Sequence, residues 1–292
     1  MSAKKSLDAL RRQIDEIDDR IHDLLMQRTD IVEDVRVQKK GSDTYLRPDR
    51  EAEILRRLID RHKGAFPKTA LIQVWREIIS ALTLLQGPMT VAVVADGEER
   101  GNAALARDQF GIMTPLKELS SARRVIDAVS KGEASVGVLP LPRWDDQSSW
   151  WLNLLSGKDA PKIIARLPFA ITKDAADLDR QALAICQLAQ EKTGKDRTFL
   201  AIEADQDIGI KTLEKALDGN GLKTVFTAQS YDAQRPEVWF YLVEVDDYVG
   251  NGDARLERFT GALDQAVKRV MTLGGYAVPI APEELAKAAK KA

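Results

Sequence analysis

Apolar residues fall at Leu7, Leu10, Ile14, Ile17, Ile21 and Leu24 and resume at Ile31 and Val35, in alternating steps of three and four. That spacing is one face of an α-helix. No breaker interrupts it from Leu7 to Lys40, and Gly41-Ser42-Asp43 then supplies the glycine and turn formers that close a helix. About 34 residues at 1.5 Å each make a rod of roughly 50 Å, well beyond a typical globular helix. Two shorter helices follow. Pro48-Asp49-Arg50-Glu51 opens the first, with proline and acid in its first turn, and Ile54, Leu55, Leu58 and Ile59 carry it to Lys63-Gly64. The next begins after Pro67 and runs through Leu71, Ile72, Trp75, Ile78, Ile79, Leu82 and Leu85 to Gly87-Pro88. These two are too short to cover the long stripe, which predicts that two chains share one bundle.

One position on the stripe is wrong for a core. Between Leu24 and Ile31 the seam passes through Arg28. A guanidinium there is costly unless an anion meets it. Either an internal Asp or Glu pairs with it, or the bundle holds an anion site. Lys39 follows eleven residues later, nearly three full turns, so it shares that face about 16 Å away. Two basic arms at that spacing suit a small dianion. Arg11 lies about 25 Å back along the axis, out of reach of the same ligand in its own chain but within reach of a partner's site in an antiparallel dimer. Arg47, Arg50, Glu51 and Gln86 complete a set rich in cations and donors. The set has no cysteine nucleophile, metal-ligand cluster or evident base, and His22 and His62 stand alone at helix-surface spacing.

In order and spacing, residues 7–86 resemble the all-helical class of chorismate mutase, especially the mutase domain of bifunctional chorismate mutase–prephenate dehydratases. The matching stretches are LDALRRQIDEIDDRIHDLL, the QR before the apolar run to VQKK, LRPDREAEIL, and REII with the LLQ ending. The resemblance implies a three-helix domain in an intertwined dimer, an isomerase needing no cofactor and no metal, and chorismate as substrate. Residue by residue it implies that Arg11 is donated across the dimer. Arg28 and Lys39 would bind the substrate carboxylates, with Lys39 also near the ether oxygen. Arg50 and Glu51 match the arginine-glutamate pair of helix two, the glutamate meeting the substrate hydroxyl, and Gln86 matches the donor to the ether oxygen. Two positions depart. Arg47 stands where some members carry an acid, and Leu82 stands where a small polar residue can touch a carboxylate.

The chemistry so implied suits this inventory. Rearrangement of chorismate to prephenate is an intramolecular [3,3] shift without nucleophile or proton transfer. Fixed cations hold the compact conformer of a flexible dicarboxylate. Lys39 and Gln86 would act as preorganised donors to the ether oxygen as negative charge grows on it.

Composition sets the surroundings. With 292 residues the chain has room for two or three domains. Its 43 basic against 45 acidic residues argue against a nucleic-acid partner. One cysteine, Cys186, offers no disulfide framework and points to a reducing compartment. MSAKKSLDAL lacks the apolar core of a secretory signal, and no run approaches membrane-spanning length, so a cytoplasmic location without membrane contact is expected.

After Gly87-Pro88 the pattern turns α/β. TVAVVA reads as a strand, Ala103–Phe110 and RRVIDAVSKG as helices, and ASVGVLPLP as a strand entering a proline-rich turn. This order resembles the first lobe of a prephenate dehydratase without its chemistry. ADGEERGN replaces the glycine-rich GPEGTFS-like turn, Leu141-Pro142-Arg143 replaces Glu-Asn-Ser, and Thr-Arg-Phe is missing. About 55 residues then remain before the next unit, too few for a second lobe of ordinary domain size.

From Thr198 the chain resembles an ACT regulatory domain. Strand TFLAIEA, Gly209 before helix IKTLEKALDGNG, strands KTVFTAQS and EVWFYLVEV, helix LERFTGALDQAVKRV and the close MTLGGYAVP follow in order. Ala228-Gln229-Ser230-Tyr231 replaces the Glu-Ser-Arg-Pro stretch used around bound phenylalanine. The expected organisation is therefore a helical domain over 1–88, a degenerate dehydratase-like α/β lobe over 89–196, an α+β ACT-like domain over 197–280 and a polar tail over 281–292. The activity implied is chorismate mutase with an inactive appendage and a possible aromatic amino-acid effector. Two alternatives are a non-catalytic effector-binding or scaffold protein of the shikimate pathway and an active bifunctional enzyme.

Overall fold

The computed structural model describes residues 6–38, 45–95, 101–144, 149–157, 160–173, 175–205, 207–232, 235–263 and 266–286. Three helices come first: α1 (Leu7–Gln38), α2 (Pro48–Arg61) and α3 (Lys68–Gln86). The expected end of α1 at Lys40–Asp43 falls outside the described residues. α2 stops at Arg61, two residues before the expected Lys63-Gly64, and its last-turn carbonyl of Ile59 is taken by the His62 N–H. α1 has no buried residue, and the eight apolar positions of its stripe are 39–64% exposed. α2 and α3 behave otherwise. Their buried faces, with Ala52, Leu55, Ile59 and Ile72, close over Phe169 and Ile280 from the C-terminal region.

The rest of the described chain builds one mixed sheet of nine strands. Its first part comprises β1 (Val91–Val94), α4 (Gly101–Phe110), β2 (Leu116–Leu119), α5 (Ala122–Ser130) and β3 (Val136–Pro140), with β2 and β3 lying parallel to β1 on either side. β1 and β3, short, rich in valine and buried on both faces, are what a parallel sheet under helices requires. β4 (Lys162–Leu167) and β5 (Ala182–Cys186) then extend the sheet antiparallel beyond β3. The span that looks too short for a lobe thus adds two strands to the existing sheet. A 3₁₀ turn over Trp150–Leu154 packs its two tryptophans into the same core.

The second part is β6 (Asp196–Ala204), α6 (Ile210–Gly219), β7 (Thr224–Asp232), β8 (Arg235–Val245), α7 (Ala254–Ala262) and β9 (Val267–Ala277), followed by the short α8 (Pro282–Ala286). One expectation is corrected here. The helix read across 256–270 ends at Ala262, and Val267 onward is strand, because β9 pairs with β6 along almost its whole length. Its Leu256, Phe259, Leu263, Val267 and Val270 have helical spacing, but tertiary pairing outweighs that local pattern.

The two parts fuse where β9 lies parallel to β4, with Ile163 opposite Gly274. Gly274 has φ +96°, and a Cβ there would overlap the Ile163 carbonyl oxygen. Only glycine serves this close approach. A buried charge cluster spans the same seam. Arg166 Nη1 on β4 donates to the Tyr276 hydroxyl on β9 at 3.0 Å, and that hydroxyl donates to Glu244 on β8. Arg197 Nη1 stands 3.6 Å from the same carboxylate, so two guanidinium groups offset one buried anion.

Candidate functional site

The sequence-derived residues sit on three helices in three different settings. Arg28 is half-buried in α1, and its Nη1 is buried without a hydrogen-bond partner. Burial pushes its pKa down, since nothing anionic offsets the desolvation. Of the two readings left open for this residue, the internal pair is not made among the described residues. Arg11 and Arg50 are exposed and lean on neighbours of their own helices, Arg11 on Asp8 at 3.5 Å and Arg50 on Glu53 at 2.9 Å. Gln86, half-buried, folds its amide back to donate to Leu82 O at 3.0 Å, and Leu82 itself is buried. Lys39 lies outside the described residues. Among the described residues no hydrogen bond or ion pair joins any of Arg11, Arg28, Arg50, Glu51 and Gln86 to another.

Glu51 turns inward toward α3. It is buried, and its Oε2 accepts from Arg76 Nη1 of α3 at 2.6 Å. Burial pushes its pKa up, against the pull of Arg76 and of the Arg47 backbone N–H. Arg76 is buried as deeply, and desolvation lowers its pKa against the attraction of Glu51. With its side-chain oxygen turned toward the guanidinium, Gln109 of α4 accepts from Arg76 Nη1 and Nη2 at 2.9 and 3.2 Å. The Phe169 ring lies under the same group, 5.2 Å from its centre, with Arg56 at 5.8 Å. Arg56 also donates from α2 to Thr193 Oγ1, Lys195 O and Val278 O at 2.8–2.9 Å. The helical region is thereby fastened to the sheet by two arginines.

Sequence reasoning misses both. Arg76 has a signal of the kind that exposes Arg28: it lies four residues after Ile72 and three before Ile79, on the buried stripe of α3. Arg56 has none, because its partners are more than 130 residues away. Among the described residues no three His, Cys, Asp or Glu cluster as metal ligands, and no helix is long and apolar enough to cross a membrane.

Residues 10–87 match the family model of chorismate mutase type II. The bifunctional chorismate mutase/prephenate dehydratase of Stutzerimonas stutzeri is 31% identical over 147 residues, which is 48% of this chain and 40% of the relative. That of Pseudomonas aeruginosa is 28% identical over 147 residues, with the same shares. The Aquifex aeolicus protein is 31% identical over 142 residues, 47% of this chain and 39% of the relative. The matched stretch therefore spans about two fifths of the length of these curated relatives. Among solved structures, the prephenate dehydratase of Streptococcus mutans aligns with 66% of this chain and 99% of its own at TM-score 0.48 and 12% identity. The Arthrobacter aurescens prephenate dehydratase in complex with L-Phe aligns at TM-score 0.48 and 12% identity, over 70% and 93% of the two chains. Residues 10–87 of this chain are thus a chorismate mutase type II domain, joined to a mixed-sheet α/β region.

Proposed function

We propose that the protein is a chorismate mutase, an isomerase converting chorismate to prephenate, active as a homodimer through α1. The observation that carries this reading is Arg28: a desolvated guanidinium with a buried, unpartnered Nη1 on a helix whose apolar stripe is uncovered. A second copy laid along α1 would cover that stripe, bring its own Arg11 toward the first chain's Arg28, and enclose a space for a dianion. Arg28 and Lys39 then bind the two carboxylates. Arg50 adds charge at the start of α2. Gln86 releases its own Leu82 carbonyl and donates to the breaking ether oxygen together with Lys39. Each group contributes by being fixed before the charge develops. Glu51 meets the substrate hydroxyl, as the resemblance implies, and has a second part in the fold. Paired to Arg76 and the Arg47 N–H, it holds the first turn of α2 and so positions Arg50.

The C-terminal region is proposed to be without dehydratase activity. Leu141-Pro142-Arg143 follows β3 where the resemblance calls for Glu-Asn-Ser. The β6–β9 part is proposed as an ACT-like unit for an aromatic amino-acid effector, with a cytoplasmic setting and a domain order of 1–88, 89–196, 197–280 and a 281–292 tail.

The test is consumption of chorismate by the purified chain with the product identified. Prephenate accumulating without phenylpyruvate is the expected result, and no consumption overturns the reading. In verified heterodimers, inactive Arg11→Ala and inactive Arg28→Ala chains should together regain up to one intact site. Heterodimers no better than either parent would mean that Arg11 does not act across the interface.

A further inference from the structure

A cleft of about 1120 Å³ opens between α3, one face of α4, the carboxyl ends of β1 and β3 and the residues that follow β4. It is remote in kind from the proposed mutase site, which faces α1. The chain leaves β1 for β2 on one side and returns to β3 on the other, so the carboxyl ends of β1 and β3 part at this point. Open α/β sheets take ligands in such a crevice. Here a helix of the N-terminal region forms one wall and contributes a charge.

The lining separates into a polar floor and apolar walls. Eleven polar or charged residues are buried among the described residues, and four of them, Arg76, Asn102, Gln109 and Gln181, line this one hollow. Burying polar groups is costly, and four gathered at a single cavity mark a site better than four scattered through a core. Arg76 is 3% exposed. Its acceptors, Glu51 Oε2 and the Gln109 side-chain oxygen, do not use up five N–H donors. The planar fork therefore keeps donors for one more carboxylate. Apolar walls come from Ile72, Leu105, Leu141 and Phe169. At the exposed rim the acids Asp108, Asp177 and Asp179 stand beside Arg143 and Arg180, with Arg143 paired to Asp179, so the buried Arg76 is the cation that faces a ligand inside the hollow.

We propose that this cleft is a second ligand site, selective for a small carboxylic acid with a ring-sized apolar body, its carboxylate held by Arg76. The site stands whether or not the helical region is a mutase. The probes are 3-phenylpropionate and its neutral analogue 3-phenylpropanamide, titrated calorimetrically into the full chain. The acid binds, and the amide binds at least about tenfold more weakly because it cannot make the charge-assisted pair. Ala104→Trp, an exposed position on the α4 wall, fills the cleft without touching the ion pair and weakens the acid by a similar factor. Arg28→Ala leaves the affinity unchanged. The double variant Arg76→Met/Glu51→Gln removes the buried pair as a unit, keeps the fold and no longer distinguishes acid from amide. Equal affinity for the two probes in the wild type overturns the proposal. So does no heat from the acid up to about 10 mM, beyond which binding would be weaker than any specific small-ligand contact. Loss of binding in Arg28→Ala with retention in Ala104→Trp also overturns it and moves the probe to the bundle.

Discussion

α1 and the α2–α3 pair belong to one helical domain and meet their surroundings in opposite ways. No residue of α1 is fully buried within the chain, while α2 and α3 lose their apolar faces to Phe169 and Ile280 and are pinned to the sheet by Arg56. Each side carries an arginine on an apolar stripe. Arg76 meets Glu51, Gln109 and the face of Phe169, and its charge is resolved inside the protein. Arg28 meets no acceptor at its buried Nη1. Chemically the two are the same residue in the same kind of place. What separates them is whether the fold itself supplies the counter-charge. A misplaced cation is therefore informative twice: its position flags it, and its partner, or the lack of one, shows whether the fold itself supplies a counter-charge.

The largest effect expected from this contrast is on turnover. Arg28→Ala should lower kcat/KM for chorismate by two to four decades, since a charge-assisted contact to a desolvated carboxylate is worth about 3–5 kcal/mol in the transition state. Its unfolding midpoint should not fall, because no native partner is stranded. A variant that keeps its rate, or loses stability, would place Arg28 with Arg76.

Arg76→Ala should do the reverse. Removing one member of a buried pair leaves Glu51 uncompensated and costs about 3–5 kcal/mol of stability, read as a lower urea midpoint at unchanged slope. Replacing both members, as in Arg76→Met/Glu51→Gln, should recover much of that loss. If Arg76→Ala unfolds at the wild-type midpoint, α3 is not held to α2 in this way.

What can be read from the sequence divides along the same line. The three helices are legible because each has a long apolar period with proline or glycine at its ends. β1, β3 and β6–β8 are legible as short apolar runs between turn formers. The four-residue β2 has only half-buried and exposed side chains, so its apolar pattern is weak. β4 and β5 escape because the length of their span argues against a lobe and says nothing of strands added to an existing sheet. β9 reads as helix because its first residues continue the period of α7. Arg28 announces itself by breaking a period. Arg76 breaks one too, but Glu51, Gln109 and Phe169 come from 25, 33 and 93 positions away, and no local pattern states such a meeting. The pairing of Glu51 is hidden for the same reason, since its carboxylate answers to α3.

The smallest effect concerns pH and asks which force governs the Glu51–Arg76 pair. Burial raises the Glu51 pKa more than Arg76 and the Arg47 N–H lower it, so the folded value lies above the unfolded one. Such a group favours the folded state fully below its unfolded pKa, about 4.3 for a glutamate. That contribution is lost as pH rises through the folded value. Wild type should therefore lose stability relative to the Glu51→Gln variant, which has nothing to titrate there, as pH goes from about 4 toward neutrality. Intuition about salt bridges points the other way, with the glutamine costing more once the carboxylate is charged. Chemical denaturation of both proteins at several pH values separates the two. If the disadvantage of Glu51→Gln grows on going to neutral pH, attraction to Arg76 outweighs desolvation. The pair would then be a clamp that strengthens with ionisation, and the same buried carboxylate would compete harder for the Arg76 donors that a ligand in the cleft needs.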